Sequence, residues 1–212
     1  MKLKLLKRII LNKGALWLSY IKLIPVLRRL NKNSLVIDCG ANTGDITKKF
    51  ADTGATVHAF EPDPLAYEFL KKRFEKNPGV ILHRQGVWDK QAEIVLYKHK
   101  DQERDEMAYT VGSSIINTKI NVDKEKYETI EVIDLSDFIR NLDRKIDLIK
   151  LDVEGAEIAI LQKILRDDTY HLFDRMYVET HETKIKGQRE ELEKIKQTIQ
   201  EKNIKNIKLN WL

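Results

Sequence analysis

Two carboxylates, Asp38 and Glu61, each close a short apolar run, and Gly40, Asn42 and Gly44 follow the first at alternate positions. From Leu35 to Asp63 the pattern is strand, glycine turn, helix, strand. A turn of small residues lets backbone approach a ligand, and an acid at the end of the second strand suits ribose hydroxyls. That is the chemistry of holding a nucleoside. It does not suit a dinucleotide. Counted from Gly40, the Gly-x-Gly-x-x-Gly fingerprint needs glycines where Asn42 and Asp45 stand. Asp45 would also set a carboxylate against a pyrophosphate at the helix N-terminus. A tight turn with no ligand is the alternative, and it leaves Glu61 without a reason.

A second set of polar residues follows the run from Ile146 to Leu151. A strand of this composition should be buried on both faces, so Lys150 within it needs a partner or loses its charge. Lys150 and Asp152 project to the same side by the period of two, and a pair with Asp152 or Asp38 is expected. Ligands of open α/β sheets lie beyond the carboxyl ends of the strands. Those ends carry Asp38, Glu61, the Arg84-Gln85-Gly86 turn, Asp152 and Glu179-Thr180-His181.

The elements that must position these residues alternate. A first helix is predicted from Thr43 to Asp52 with Ile46 and Phe50 inward, then a strand from Thr56 to Phe60. Asp63-Pro64 reads as an N-cap with proline in the first turn, opening a helix to Lys76. Asn77-Pro78-Gly79 ends it, and Val80 to His83 is the third strand. Glu93 to Tyr97 and Glu128 to Ile133 look antiparallel, separated by a charge run from Lys100 to Glu106 and by Gly112-Ser113-Ser114. The charge run is a solvated loop on its simplest reading. The longer insertion suits a lid over an acceptor site. A short helix from Asp134 to Asn141 precedes strand four, Ile146 to Leu151. Helix Ala156 to Leu165, strand Met176 to Glu179, helix Gln188 to Lys202 and strand Ile204 to Leu209 complete one doubly wound α/β domain.

At this point the chain resembles the FkbM-type methyltransferases of the class I superfamily. The resemblance rests on the Asp38-Cys39-Gly40-Ala41-Asn42-Thr43-Gly44 loop, Phe60-Glu61-Pro62, the Ile149 to Glu157 block (Ile-Lys-Leu-Asp-Val-Glu-Gly-Ala-Glu), and Glu179-Thr180-His181-Glu182. It spans about residues 34 to 210. It implies a Rossmann-like, mostly parallel sheet with a β-rich insertion after strand three. A basic helical arm at 1–33 would precede a methyltransferase domain at 34–212.

The resemblance also implies S-adenosylmethionine as cofactor and O-methylation of a sugar, glycan or natural-product hydroxyl. Asp38, Gly40, Ala41, Asn42, Gly44, Glu61, Pro62, Gln85, Gly86 and Asp152 are then the expected cofactor residues. Glu61 would take the ribose, Asp38 and Asn42 the methionine moiety, and Gln85-Gly86 the adenine edge. Asp152, His181, Lys150 and Glu154 are the expected catalytic set. Either Asp152 or His181 is the base that takes the hydroxyl proton, or both, with Glu179, ligate a divalent ion such as Mg or Mn. Glu154 and Glu157 either join this chemistry or favour a helix N-terminus.

Bulk properties narrow the alternatives. The 212 residues suit one domain with a full core. Cys39 is the single cysteine, so an internal disulfide and cysteine-pair zinc sites are excluded. C5-cytosine methylation, which needs a nucleophilic thiol elsewhere in the fold, is disfavoured as well. Residues 1–32 hold nine Lys/Arg and no acid, while the remainder has 29 basic and 33 acidic residues, a net of −4. The basic character belongs to the arm, so no nucleic-acid partner is expected. The arm reads as amphipathic helices packing on the core, or as an interfacial helix giving peripheral membrane contact through residues 1–30. A cytoplasmic location, with association at the membrane surface if the arm binds lipid, is the expectation. An oxidoreductase lacks its glycines here, and an amino-methylating nucleic-acid enzyme lacks its Asn/Asp-Pro-Pro-aromatic run. Acceptors of another class, a lipid or polyketide hydroxyl, and a non-catalytic nucleoside-binding module remain as rivals.

Overall fold

The computed structural model describes residues 23–99, 114 and 122–209. The arm up to residue 22, the Lys100 to Glu106 charge run and Gly112-Ser113 lie outside the described residues. Of the arm, residues 23–27 are helical, and Leu23 and Val26 are buried against Val36, Phe50 and Leu148.

Strands β1 (Leu35–Cys39), β2 (Thr56–Phe60), β3 (Val80–His83), β7 (Leu148–Leu151), β8 (Met176–Val178) and β9 (Ile207–Lys208) form a six-stranded sheet. Its order is β3-β2-β1-β7-β8-β9, with every pairing parallel. The order reverses between β1 and β7, which opens the crevice where such sheets bind ligands. Strands β4 (Gly86–Trp88), β5 (Ala92–His99) and β6 (Val122–Asp134) form a second sheet, with β6 central, parallel to β4 and antiparallel to β5. This is the Rossmann-like, mostly parallel architecture, with a mixed β insertion after strand three.

Both faces of the large sheet are covered, and the period of two divides the core accordingly. On β1, Leu35, Ile37 and Cys39 pack with α3 (Leu135–Arg140), α4 (Glu157–Arg166) and α5 (Gln188–Glu201). Val36 faces the opposite cluster, with Phe50 of α1 (Asp45–Ala51) and Leu70 and Phe74 of α2 (Pro64–Phe74). In α4, Ile158, Leu161 and Leu165 are buried as their spacing requires.

Several boundaries move for identifiable reasons. Helix α1 begins at Asp45 because Asn42 and Gly44 hold left-handed backbone, φ 49° and 87°. Its buried residues are Thr47 and Phe50, whereas Ile46 is only half-buried. The polar Thr47 takes the inward position because Asp38 lies beneath it. Strand β7 starts at Leu148, since the Asp147 side chain accepts from Leu35 N (2.8 Å) and Ser34 Oγ (3.2 Å). Helix α2 opens as its sequence demands, Asp63 capping Leu65 and Ala66 with Pro64 in the first turn.

Candidate active site

The glycine turn rests on a buried ion pair. Asp38 and Lys150 are register partners on β1 and β7, and Lys150 Nζ lies 3.3 Å from Asp38 Oδ1 and 3.5 Å from Asp152 Oδ2. It also donates to the Gly40 carbonyl at 2.6 Å. Asp38 Oδ2 accepts from Thr47 Oγ1 at 2.6 Å. Burial disfavours the Lys150 charge, but Asp38 and then Asp152 outweigh it and hold its pKa above the usual lysine range. Asp38 and Lys150 are both enclosed, and together they support the loop from beneath. Removing one partner of such a pair costs about 3–5 kcal/mol.

The two loop glycines answer to the chain itself. A Cβ on Gly40 would sit 1.8 Å from the Asp152 carbonyl oxygen, at φ 78°. One on Gly44 would meet Phe74 and Leu70 of α2 at 2.6 and 2.7 Å. Gly40 therefore lets the turn press against the end of β7, and Gly44 lets α2 close on α1. Arg73 seals the outer edge, donating to the Thr43 carbonyl (2.9 Å) and to Asp45 (2.6 Å). The Gly40 and Ala41 amides both bond the Phe60 carbonyl, at 3.0 and 2.9 Å.

Glu61 joins the two arms of the unit. Its Oε2 accepts from Asn42 N and its Oε1 from Asp63 N, both at 2.8 Å. Burial pushes its pKa up to about 7 against the pull of those two amides. Each oxygen keeps a lone pair, so the carboxylate stays capable of receiving hydroxyl donors. Pro62 is half-buried. Gly86 opens β4 against Val132 of β6, and the Gln85 amide is spent on Glu131 at 2.9 Å.

Beyond β7 the chain makes a strained turn, with Glu154 at φ 59° and Gly155 at φ 127°. Glu157, fully buried at the start of α4, closes it. Its Oε1 accepts from Val153 N (3.0 Å) and its Oε2 from Gly155 N (2.9 Å). The same Oε1 meets Nδ1 of the buried His181 at 3.0 Å. His181 Nε2 then faces three carboxylates: Glu154 Oε2 at 3.1 Å, Glu179 Oε1 at 3.9 Å and Asp152 Oδ1 at 4.0 Å. The side chains of Asp152, Glu154 and Glu179 are 27, 18 and 25% exposed and form the open rim of this cluster. Burial works against a charged His181, but Glu157 above all raises its pKa. Burial raises that of Asp152, against Lys150, and lifts Glu179 to about 7, helped by Asp152. Glu157 is the residue that sequence reasoning undervalued. The signal was present in a carboxylate two residues after a glycine, but its bond to His181 bridges 24 positions.

The insertion reaches both halves of the site. Lys98 on β5 pairs with Asp63 at 2.9 Å, beside the Glu61 turn. Ser114 Oγ donates to the Glu154 carbonyl at 2.6 Å. The Cys39 thiol is buried and its pKa is driven up by that burial and by Asp38, so it is no nucleophile.

A doubly wound sheet with an acid-anchored glycine turn at its switch point defines a class of nucleoside-cofactor-binding domains. Within it, the chain belongs to the FkbM methyltransferase family, whose methyltransferase FkbM domain matches residues 38–205. It is 28% identical over 170 residues to Methyltransferase 1 of Beauveria bassiana (strain ARSEF 2860), an alignment covering 72% of this chain and 66% of that protein. Among solved structures it is similar to an rRNA methylase from Streptococcus thermophilus (13% identity, TM-score 0.37, 66% of this chain and 58% of that one). A TehB-like SAM-dependent methyltransferase from Corynebacterium glutamicum ATCC 13032 Kitasato aligns at 14% identity and TM-score 0.41, over 85% of this chain and 71% of that one. No helix of the described residues is long and apolar enough to cross a membrane.

Proposed function

We propose that the protein is an S-adenosylmethionine-dependent O-methyltransferase acting on a hydroxyl of a sugar, a glycan or a glycosylated natural product. One observation carries this reading. The glycine turn anchored by Glu61 and the carboxylate–imidazole cluster share an edge, with Gly40 packed on the Asp152 carbonyl. A nucleoside donor and a group able to take a proton therefore meet at one crevice. Glu61 receives the ribose hydroxyls, and Asn42, with the backbone around Gly40 and Ala41, borders the methionine part.

The sulfonium is an activated donor, so the protein's task is to align acceptor oxygen, methyl carbon and sulfur and to exclude water. The oxygen–carbon bond forms as the carbon–sulfur bond breaks, and the electron pair stays on sulfur. The hydroxyl proton passes to the Asp152–His181 cluster. The insertion, tied down at Asp63 and Glu154, roofs the acceptor. The basic arm of residues 1–30 would supply any contact with anionic lipid.

A divalent ion fits this donor set poorly. The groups whose ligand atoms converge within 4.8 Å are Asp152, Glu157 and His181, and Glu179 is not among them. Glu157 already accepts from the Val153 and Gly155 amides, and its Oε1 lies 3.0 Å from His181 Nδ1. The test is a labelled-methyl transfer screen over glycans and hydroxylated metabolites, run with and without a chelator. Transfer should survive chelation. Asp152→Ala should keep cofactor binding, measured by calorimetry, and lose at least about 100-fold in turnover, the scale of a general acid–base contribution. Unchanged turnover in that variant removes Asp152 from the mechanism.

A further inference from the structure

Glu157, expected either to join the chemistry or only to favour a helix N-terminus, is held by three groups at once. It has no exposed surface, and Val153 N, Gly155 N and His181 Nδ1 converge on its two oxygens at 2.9–3.0 Å. The two backbone groups are obligate donors, so Glu157 is held as an acceptor. A carboxylate acceptor facing Nδ1 requires the imidazole proton on that atom, and a neutral ring then carries its lone pair on Nε2. Nε2 makes no aligned hydrogen bond within the described residues and is enclosed. It is aimed at the cleft between Glu154, Glu179 and Asp152.

We infer that Glu157 is a positioning residue that fixes His181 with its proton on Nδ1, making Nε2 the atom that takes up the proton released by the acceptor hydroxyl. The inference rests on the methyl-transfer reading for its last clause and on geometry alone for its first. As the oxygen–carbon bond forms, the O–H proton passes through the partly exposed Glu154, 3.1 Å from Nε2, to Nε2, and the sulfur leaves with its bonding pair. The resulting imidazolium lies between Glu157 on one nitrogen and Glu154 on the other, two carboxylates that stabilise it. The proton returns to water through the partly exposed Glu154, Asp152 or Glu179. The cations nearest this cluster are Lys184, 3.9 Å from Glu154, and Lys150, 3.5 Å from Asp152. A turn staple with no influence on His181 would explain the Val153 and Gly155 bonds but not the third.

The experiment uses full-length protein labelled with 15N-histidine, with a His181→Asn variant assigning the signal among the five histidines. Long-range 1H–15N spectra recorded across pH should show Nδ1 protonated and Nε2 pyridine-like in the neutral ring. In Glu157→Gln the tautomer preference should weaken and the titration midpoint should fall by about 1 pH unit or more, as for loss of a neighbouring opposite charge. Glu157→Asp, which keeps the charge, should stay above the Gln variant. A wild-type ring protonated on Nε2 overturns the inference, and so does a Gln variant whose tautomer and midpoint are unchanged. Should Glu157→Gln fail to fold, the wild-type spectrum still decides the tautomer. Calorimetric titration with S-adenosylmethionine is read separately. Absence of binding defeats the methyl-transfer reading and leaves the tautomer result standing.

Discussion

Glu61 shows how one side chain serves fold and ligand together. It ties Asn42 to Asp63 through two backbone amides, so the group proposed to take the ribose also sets the shape of the glycine turn. Two ribose hydroxyls donating to a buried carboxylate form charge-assisted bonds of about 1.5–3 kcal/mol each. Glu61→Gln keeps the volume and loses the charge, and should weaken S-adenosylmethionine binding by about ten- to a hundredfold in a calorimetric titration. An unchanged dissociation constant would take Glu61 out of the ribose site. At this scale the sequence was informative where an acid ends a strand, as at Asp38, Glu61 and Asp152. It could not separate acids that face the crevice from acids that lie under it. Asp38 and Lys150 lie beneath the turn, where Thr47 donates to Asp38 and the Gly40 carbonyl accepts from Lys150.

The glycine turn works as an element because it is pressed between two others. Its Gly40 meets the end of β7 and its Gly44 meets α2, so the loop is shaped by packing before any ligand arrives. Gly40→Ala would add a methyl 1.8 Å from a backbone oxygen and hold alanine at φ 78°. Neither strain can be relieved by a rotamer. The variant should lose at least about 2 kcal/mol of stability in urea denaturation, from backbone strain and overpacking together. A loss within about 0.5 kcal/mol would mean that β7 can recede. Helix and strand types were legible from periodicity, and the Asp63-Pro64 start of α2 was legible from capping chemistry. What escaped was local geometry set by distant partners. Thr47 replaced Ile46 on the buried face of α1 because of Asp38, and Gly86–Trp88 became a strand because β6 lies alongside it.

Across the whole molecule, the doubly wound order brings Asp38, Glu61, Asp152 and Glu179 to one edge of the sheet. Their common location followed from the strand-end rule, but their mutual distances depend on pairings that span more than a hundred residues, as Lys150 with Gly40. Concentrating acids there has a thermodynamic consequence. Glu61 and Glu179 both have folded-state pKa values near 7, above the ordinary 4.5, chiefly through burial. A carboxyl raised on folding favours the native state below about pH 4.5, and this contribution is lost as pH rises through 7. Over that window the buried Glu61 contributes a slope worth about 3 kcal/mol in total, and Glu179 adds to it in the same sense. His58 and His83, lowered by burial, act in the opposite sense, their contribution being lost as pH falls below the ordinary histidine value, through about 4 for His83. Asp152 and His181, also raised, act in the same sense as the two glutamates, so the Glu61 part should be isolated by difference. Relative to Glu61→Gln, the cofactor-free wild type should lose stability between pH 4.5 and 7.5, read by urea denaturation at each pH. S-Adenosylmethionine reverses the sense, because ribose hydroxyls donate to the ionised form. Its stabilisation of the wild type, measured as a shift in Tm at fixed ligand concentration, should grow across the same window and stay flat in Glu61→Gln. A wild-type shift that is flat with pH would show that Glu61 does not change its charge when the cofactor binds.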